Sequence, residues 1–393
     1  MLIHLAIVFS LLACAKSLSE GDSCAIMDGS PGICKAINDC SYAEDDFRKH
    51  LKPMKCGHSE FDPFICCDSP SESPLGVTTP KIRGRKTTET DQLKGKEFSL
   101  ECDKAERRGQ KAYDKCLEYQ EKYVYPCRPG PTGNIRVDDC TWKPEQLIIG
   151  GVDAYKGEFP HMALLGYGND KLEWLCGGVI ISERYVLTAG HCTYSAYKHS
   201  PVKKIRVGIL KRSDAVDSSK EYNVVPIKYP EYHSPLRYND IALLQTDRDI
   251  ELNKYVVPAC LHDGGADIFK NSAIVTGWGT TVYKSRDFSD VLQKARVERF
   301  ESVECEKKYN HIRLMPNGFN STTQLCYGDR FSNRDTCEGD SGGPLQKIHP
   351  TIRCMYSVIG ITSMGKSCGI AGEPSIYTRV EYYLPWIEEI VWP

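Results

Sequence analysis

The sequence predicts an all-β domain over residues 148–393, closed by a C-terminal helix and preceded by a small disulfide-rich segment. Beyond residue 148, short β-branched runs such as GGVIISERYVLTAGHC and AIVTGWG are separated by Gly and Pro, which is typical of a sandwich or a barrel. The last residues, EYYLPWIEEIVWP, indicate a short closing helix. Six cysteines fall within residues 24–67, which indicates a segment that disulfides hold together.

The first residues predict that the chain is secreted. The stretch MLIHLAIVFSLLACA is apolar, is too short to span a bilayer and ends in a small-x-small pattern at Ala13 and Ala15. We expect a signal peptide at 1–15, cut somewhere in 15–19, with an N-terminal anchor as the alternative. If Cys14 leaves with it, an even number of the nineteen cysteines remains, as suits a fully bridged extracellular protein.

Length and charge limit the other expectations. A chain of 393 residues has room for two or three domains. Its net charge of -2 gives no argument for nucleic acid or for an anionic membrane as partner. Because no segment after the signal peptide has a long enough apolar run, we expect no membrane span.

Residues 24–67 have too little apolar core to fold without bridges. The adjacent Cys66 and Cys67 point to opposite sides of an extended chain, so we expect them to pair with different partners. A metal cluster is the competing interpretation, but the CxxC spacing of zinc sites is absent from this segment.

Residues 68–147 are interpreted as a linker and propiece. The part up to about residue 96 is rich in Ser, Pro, Thr, Gly and Lys, which is typical of a flexible tether. A basic bias between residues 81 and 115 suits a solvated linker better than a site for a polyanion. Beyond it, a helix over about 98–123 is predicted by residues at three- and four-residue spacing: Phe98, Cys102, Ala105, Gly109, Ala112, Cys116, Tyr119 and Tyr123.

Whether Gly109 breaks this helix decides how Cys102 and Cys116 can pair in disulfides. In a continuous helix Cys102 and Cys116 lie about 21 Å apart. A disulfide tolerates no more than about 7 Å between Cα atoms, so the two would bridge other partners and pin the helix to the next domain. If Gly109 breaks the helix, they can pair with each other, and both alternatives stay open.

Three motifs in the β region predict nucleophilic catalysis: LTAGHC with His191, YNDIALL with Asp240 and EGDSGGPL with Ser341. A serine hydroxyl is a poor nucleophile until a neutral imidazole takes its proton and a buried carboxylate holds that imidazole. Backbone N–H groups at Gly339 and Ser341 are expected to form an oxyanion hole.

Together with the IIGG run that starts at Ile148, these motifs resemble the trypsin-like serine proteases across residues 148–393. The resemblance implies a double six-stranded antiparallel β-barrel with the catalytic residues between the barrels. It implies a serine endopeptidase that needs no cofactor and no metal. The segment 24–67 resembles the clip domain that precedes protease domains in arthropod extracellular cascades, and the layout is similar to the C group of those proteases.

The resemblance also implies how the enzyme is switched on and what it cuts. Cleavage between Leu147 and Ile148 is expected to free an ammonium that pairs with Asp340, so the uncut chain is expected to be a nearly inactive zymogen. Asp335, six residues before Ser341, is expected at the base of the primary specificity pocket. A buried carboxylate there needs a cation, so the pocket should take Arg or Lys.

Further substrate-binding residues are expected at Ser363, Gly365 and Ser375. The trypsin-like members of the family usually carry Gly at the position of Ser375, which leaves the preference between Arg and Lys open. Met364 stands where the family usually has an aromatic residue, which leaves the neighbouring subsites open.

Leu147 indicates the place of the enzyme in a cascade. An enzyme with Asp335 in its pocket should cut poorly after leucine, so we expect no self-activation. The expected partners are an upstream protease that accepts leucine, a downstream protease zymogen cut after Arg or Lys, and a serpin inhibitor. The expected setting is Toll-type immune or developmental signalling, or melanisation, in a haemolymph-type fluid.

The resemblance implies the following disulfides: Cys24–Cys66, Cys34–Cys56, Cys40–Cys67, Cys140–Cys260, Cys176–Cys192, Cys305–Cys326 and Cys337–Cys368. Four cysteines remain, with three possible connectivities, of which one containing Cys116–Cys354 is favoured: Cys102, Cys116, Cys127 and Cys354. Asn320 in the sequence NST is expected to be glycosylated.

Two other functions compete with the protease. A non-catalytic clip-domain scaffold normally lacks a catalytic residue, whereas all three are in place here. A defensin-like antimicrobial fragment, released by cleavage in the linker, is the second. The large domain behind the segment 24–67 favours a regulatory or docking role for that segment instead.

Overall fold

The structure is a computed structural model that describes the following residues: 22–25, 31–36, 55–58, 63–68, 102, 105–130, 133–142, 152–169, 171–215, 217–264, 272–280, 287–330, 339–365 and 372–393. The expected signal peptide and the tether lie outside them. The chain divides into two compact units, Met1–Lys96 and Glu97–Pro393, and each is described by itself.

The described part of the first unit is a four-stranded antiparallel sheet in the order β1-β2-β4-β3. Its strands are β1 Ser23–Ala25, β2 Pro31–Ala36, β3 Lys55–His58 and β4 Pro63–Asp68. Cys34 in β2 is buried and disulfide-bonded, and its N–H donates to the carbonyl of Asp22 at 2.8 Å. The side chains that would decide the three bridges expected in this segment lie outside the described residues.

The second unit begins with a helix that is shorter than expected. Helix α1 spans Lys111–Tyr119 and continues as a π-helical turn at Gln120–Val124. Residues 105–110 are not helical, so the expected start near residue 98 is wrong. Gly109 has a φ of 76°, and its N–H donates to the Asp114 carboxylate at 2.9 Å, so the chain turns into the helix at this point.

The face of α1 that the spacing predicted is buried against the rest of the unit. Ala112, Cys116 and Tyr119 are all buried. The Tyr119 hydroxyl donates to Glu183 at 2.7 Å, and the Ala112 N–H donates to the carboxylate of Glu388 at 2.8 Å. The helix is followed by a hairpin of β5 Cys127–Gly130 and β6 Gly133–Arg136.

Three disulfides fix the propiece, and two of them correct our expectations. The observed bridges and their Cα–Cα distances are Cys102–Cys127 (5.9 Å), Cys116–Cys260 (5.1 Å) and Cys140–Cys354 (6.0 Å). The expected Cys140–Cys260 and Cys116–Cys354 bridges are therefore wrong. The reason is the docking of α1, whose buried face lies against the short strand that carries Cys260 and leaves Cys140 beside Cys354.

Six antiparallel strands close the first barrel. The short strand β7 Val152–Asp153 comes before them in the chain but pairs with the second barrel. The six strands are β8 Met162–Tyr167, β9 Glu173–Ile180, β10 Tyr185–Thr188, β12 Ser200–Val207, β13 Glu221–Lys228 and β14 Ala242–Thr246, with β11 Tyr194–Ser195 at one edge. The order is β12-β13-β14-β10-β9-β8, and β8 pairs again with β12. Apolar side chains fill the inside, as with Leu165, Val179 and Leu243.

The second barrel closes in the same way. Its strands are β16 Ser272–Gly277, β17 Gln293–Arg299, β18 Gln324–Gly328, β19 Pro344–Ile348, β20 Tyr356–Met364 and β21 Ser375–Arg379, with β15 Cys260–Leu261 parallel to β20 and helix α2 Ser302–Lys308 between β17 and β18. The order is β20-β19-β16-β17-β18-β21, and β20 pairs again with β21. The predicted double antiparallel barrel is confirmed, and the sandwich alternative is wrong.

The predicted closing helix is confirmed as α3, Val380–Val391. Its Tyr383, Leu384 and Ile387 are buried in the core of the first barrel. Among the described residues, no helix combines the length and the hydropathy that crossing a membrane requires. The expected Cys176–Cys192 and Cys305–Cys326 bridges are present, whereas Cys337–Cys368 lies outside the described residues.

His161 lies where the two barrels meet. Its carbonyl accepts the N–H of Ile180 in β9 at 2.8 Å, and its ring lies 5.3 Å from the ring of Tyr356 in β20. Only 2% of the residue is exposed. Burial lowers the pKa of His161 to about 4, so the ring is neutral in the folded protein at neutral pH.

We expect peptide mapping to identify the disulfides of the propiece. A digest at acidic pH without reductant should yield one peptide pair that contains Cys140 with Cys354 and another that contains Cys116 with Cys260. Mass spectrometry before and after reduction identifies both pairs. A linked pair that contains Cys140 with Cys260 would contradict the observed docking of α1.

We expect His161 to make the fold sensitive to acid. Its pKa is lower in the folded chain than the ordinary value of about 6.5, so the unfolded chain binds the extra proton, and stability falls as the pH drops from about 6.5 to about 4. The loss amounts to roughly 3 kcal/mol when the shift is fully expressed. Urea unfolding of the His161→Phe variant should therefore show a shallower pH dependence than the native chain. The exposed His311, changed to Gln, is the control and should leave the slope unchanged. An unchanged slope in His161→Phe would refute this assignment.

Candidate active site

The three predicted catalytic residues come from three separate loops. His191 lies in a 3₁₀ turn, Gly190–Thr193, directly after β10, and Asp240 lies just before β14 in the same barrel. Ser341 lies in the turn that precedes β19 of the second barrel. Loops at the ends of rigid strands are where catalytic groups can be held in place, so the site is built from both barrels.

Asp240 fixes the orientation of the His191 ring at two points. Its Oδ2 lies 2.8 Å from the His191 Nδ1, and its Oδ1 accepts the backbone N–H of His191 at 2.8 Å. A carboxylate on Nδ1 assigns the ring proton to that nitrogen, which leaves Nε2 as the acceptor. This is the tautomer that a general base for a serine hydroxyl needs.

The Asp240 carboxylate is completely buried, and the second barrel supplies part of its support. The Ser363 hydroxyl donates to Oδ2 at 2.5 Å, and the Thr378 hydroxyl donates to the Asp240 carbonyl at 2.9 Å. Burial alone would raise the pKa of Asp240. The His191 ring, the Arg237 guanidinium and the Ser363 hydrogen bond outweigh it and hold that pKa below its ordinary value.

The turn that carries Ser341 is packed tightly against the strand that leads to His191. Gly342 has a φ of 78°, and a Cβ there would lie 2.2 Å from the Thr188 hydroxyl and 2.5 Å from the Gly177 carbonyl oxygen. Only glycine permits this approach. The Ser341 carbonyl accepts the N–H of Gly177 at 2.8 Å, which ties the nucleophile's turn to β9. The structure thus places Ser341 beside the segment that ends in His191.

The Asp340 carboxylate lies in a space that two glycines leave open. Its Oδ1 accepts the N–H of Gly279 at 2.8 Å. A Cβ added to Gly277 would lie 2.0 Å from this Asp340 oxygen, and a Cβ added to Gly279 would lie 2.6 Å from it. The TGWG run is therefore shaped to hold the carboxylate next to Ser341. Ile148, its expected partner, lies outside the described residues.

Of the expected substrate-binding residues, three are described. Ser363 is buried, and its hydroxyl is used by Asp240. Gly365 is exposed just after β20, and Ser375 is buried at the start of β21, paired with Tyr327. Asp335 and Leu147 lie outside the described residues. Gly339 and Ser341 share one turn, and their N–H groups stay a predicted oxyanion hole.

Two contacts of the site were not predicted from the sequence. Ser363 was expected on the substrate side, but the register of β20 turns its hydroxyl to Asp240. Arg237 lies with its Nε 3.9 Å from the Asp240 Oδ2, and no motif signals an arginine in this role. Met364, by contrast, is half-buried and packs against the buried cluster that includes Phe300 and Tyr309.

One group of possible metal ligands is excluded by its chemistry. The sulfurs of Cys176 and Cys192 and a ring nitrogen of His191 all lie within 4.8 Å of one another. The two sulfurs are joined in a disulfide, so neither is the thiolate that a metal would need. This bridge instead ties the His191 turn to β9.

Known proteins have sequences similar to that of this chain. Residues 148–387 match the family model described as Trypsin. Serine protease snk of Drosophila melanogaster is 30% identical over 385 residues, which cover 96% of this chain and 80% of that protein. Phenoloxidase-activating factor 1 of Holotrichia diomphalia is 26% identical over 418 residues, 100% of this chain and 99% of that protein. Serine protease Hayan of Drosophila melanogaster is 33% identical over 253 residues, 63% of this chain and only 39% of Hayan.

We expect the Ser363→Ala change to slow peptide-amide hydrolysis through Asp240. A hydrogen bond to a charged group contributes about 1.5–3 kcal/mol, so kcat should fall roughly tenfold to a hundredfold with little change in KM. Ser357→Ala, a buried serine of the same strand, is the matched control and should keep nearly full activity. A fall in kcat of equal size in both variants would mean that β20 is merely disturbed.

Proposed function

The chain belongs to the trypsin family of serine proteases, and on that premise we propose that it is a secreted zymogen that acts at a middle step of an extracellular proteolytic cascade. It is a trypsin-like serine endopeptidase. The observation that carries the proposal is the buried Asp240 carboxylate on the His191 Nδ1, in the same site as the Ser341 turn.

The catalytic cycle follows from these positions. The Ser341 hydroxyl attacks the carbonyl carbon of the scissile bond, and His191 Nε2 takes its proton. Asp240 stabilises the imidazolium, and the N–H groups of Gly339 and Ser341 stabilise the negative oxygen of the tetrahedral intermediate. His191 then gives the proton to the leaving amine, which departs and leaves an acyl-enzyme on Ser341. Water, activated by His191, hydrolyses that ester and restores the hydroxyl.

Activation is proposed to act through Asp340. Cleavage of Leu147–Ile148 frees an ammonium at Ile148, which pairs with the Asp340 carboxylate, an acceptor of the Gly279 N–H. A buried ion pair that lacks one partner is destabilised by about 3–5 kcal/mol, which is enough to decide whether the adjoining oxyanion hole is assembled. The uncut chain therefore has little activity.

The substrate preference is proposed to rest on Asp335, six residues before Ser341. Its carboxylate takes Arg or Lys and refuses apolar side chains, because an apolar side chain leaves the charge unpaired. The same preference makes cleavage after Leu147 slow. The activator is consequently a different protease, one that accepts leucine.

The setting is proposed from the relatives. One relative carries the name of a phenoloxidase-activating factor, and others are serine proteases of Drosophila melanogaster. We place this chain in a comparable extracellular cascade, of the Toll-signalling or melanisation kind, in a haemolymph-type fluid. Its substrate is a downstream protease zymogen, and a serpin is its inhibitor. The residues 24–67 act as a clip domain, and Asn320, exposed in its loop, carries a glycan.

The test uses purified chain in which the Leu147–Ile148 site is replaced by one for a removable specific protease that leaves Ile148 as the new terminus. Hydrolysis of peptide amides ending in Arg, Lys, Leu or Phe is measured before and after cutting. We expect activity on Arg or Lys amides to rise by at least about a hundredfold on cutting, as 3–5 kcal/mol implies. Ser341→Ala, cut in the same way, should stay inactive.

Each other outcome removes a specific part of the proposal. Preference for Leu or Phe amides would overturn the Asp335 pocket and make Leu147 a self-cleavage site. Equal activity before and after cutting would overturn the proposal that the ion pair between Ile148 and Asp340 activates the enzyme. Absence of activity from folded, correctly cut chain would leave a non-catalytic clip-domain scaffold as the better description.

A further inference from the structure

We propose that Arg237 is a positioning residue of the catalytic triad, whose guanidinium shares the Asp240 carboxylate with His191 and thereby sets how far into acid the protease stays active. The inference rests on the endopeptidase activity alone, whatever the cascade. Arg237 precedes Asp240 by three residues, and its Nε lies 3.9 Å from the Asp240 Oδ2. The same oxygen accepts the hydrogen bond from the His191 Nδ1.

The guanidinium is held in this place. Its Nη1 donates to the carbonyl of Pro235 at 3.1 Å. The backbone on either side is fixed as well, because the Arg237 N–H donates to the Leu314 carbonyl at 3.0 Å and its carbonyl accepts from Gln324 at 2.9 Å. Only 17% of the side chain is exposed. A cation fixed this close to a carboxylate contributes a constant charge and not a fluctuating surface pair.

The contact with Asp240 is one of charge and not a hydrogen bond. At 3.9 Å the Nε is too far from Oδ2 to donate. This Nε is buried and has no hydrogen-bond acceptor among the described residues. A buried cation is costly unless an opposite charge lies near, and the Asp240 carboxylate is that charge.

The groups that face Asp240 come from several elements. His191 approaches from its 3₁₀ turn, and Ser363 donates from β20. Burial raises the pKa of Tyr232, on the segment between β13 and β14, to about 12, and burial likewise raises the pKa of Tyr383 in α3. Both tyrosines are therefore neutral at working pH. Among the residues that the structure describes, the charges that act on Asp240 in this range are those of Arg237 and, once protonated, His191.

The consequence is a competition for one negative charge. The Asp240 carboxylate favours the protonated form of His191, which cannot accept the serine proton. We expect a fixed cation on the same carboxylate to offset part of that attraction, so that the enzyme keeps its activity to lower pH. Removing the cation should move the acid limb of the pH–activity profile to higher pH.

The experiment measures kcat and KM from pH 5 to 9 for full-length chain cut at Ile148. We expect Arg237→Met, which keeps length but not charge, to shift the midpoint of the acid limb upward by about half a unit to one unit. KM should change less than about threefold. Arg237→Lys, which retains a cation, should restore most of the wild-type midpoint. Arg128→Met, which removes an exposed arginine in the hairpin of β5 and β6, should not move it.

Three results would overturn the inference. A midpoint for Arg237→Met within about 0.2 pH units of the wild-type midpoint, which is roughly the error of the measurement, would show that the charge of Arg237 does not affect the pH profile. An equal shift in the Lys and Met variants would assign the effect to packing. A loss of kcat above about a hundredfold without a shift would make Arg237 merely structural. If Arg237→Met does not fold, Arg237→Gln, which can still donate to the Pro235 carbonyl, gives the same reading. Inactive wild-type enzyme in the same series would refute the proposed function instead.

Discussion

The buried carboxylate of Asp240 is the constraint on which the rest of the site depends. A charge with no exposure to water is tolerated only when its partners are all in place. Those partners come from both barrels, since His191 belongs to the first, and Ser363 and Thr378 to the second. Orienting the imidazole and joining the barrels are therefore one requirement, and a shift of either barrel would disturb the catalytic base.

Close backbone contact is the second way in which the barrels are joined. The Ser341 carbonyl accepts from Gly177, and Gly342 comes so near to Thr188 that no side chain fits there. The Cys176–Cys192 disulfide then ties the His191 turn to the same strand as Gly177. The backbone contacts and the disulfide thus hold the turns that carry Ser341 and His191, in addition to the contact of the His191 ring with Asp240.

Residue patterns predicted the parts of this protein that local rules decide. The β-branched runs predicted the barrels, and the three motifs predicted which loops meet at the site. The start of α1 could not be predicted from apolar spacing, because a positive φ at Gly109 and the Asp114 carboxylate interrupt the pattern. The bridges of Cys140 and Cys260 could not be predicted either, since they depend on where a packed helix places Cys116. Contacts that tertiary register creates, such as Ser363 with Asp240, leave no signal in one sequence.

The disulfides of the propiece bear on the proposed ion pair between Ile148 and Asp340. Cys140 is bonded to Cys354, which precedes β20, and Cys116 is bonded to Cys260 in β15, which pairs with β20. Each bond joins a cysteine before Leu147 to one after it, so a cut at Leu147–Ile148 would free the new terminus without releasing the propiece. The new terminus would then pair with Asp340, whose carboxylate the two glycines of TGWG accommodate. Because Asp340 lies between Gly339 and Ser341, a change in its backbone that moves the carboxylate would also turn the N–H groups proposed to hold the oxyanion. Activation and catalysis would then be coupled through one residue of backbone.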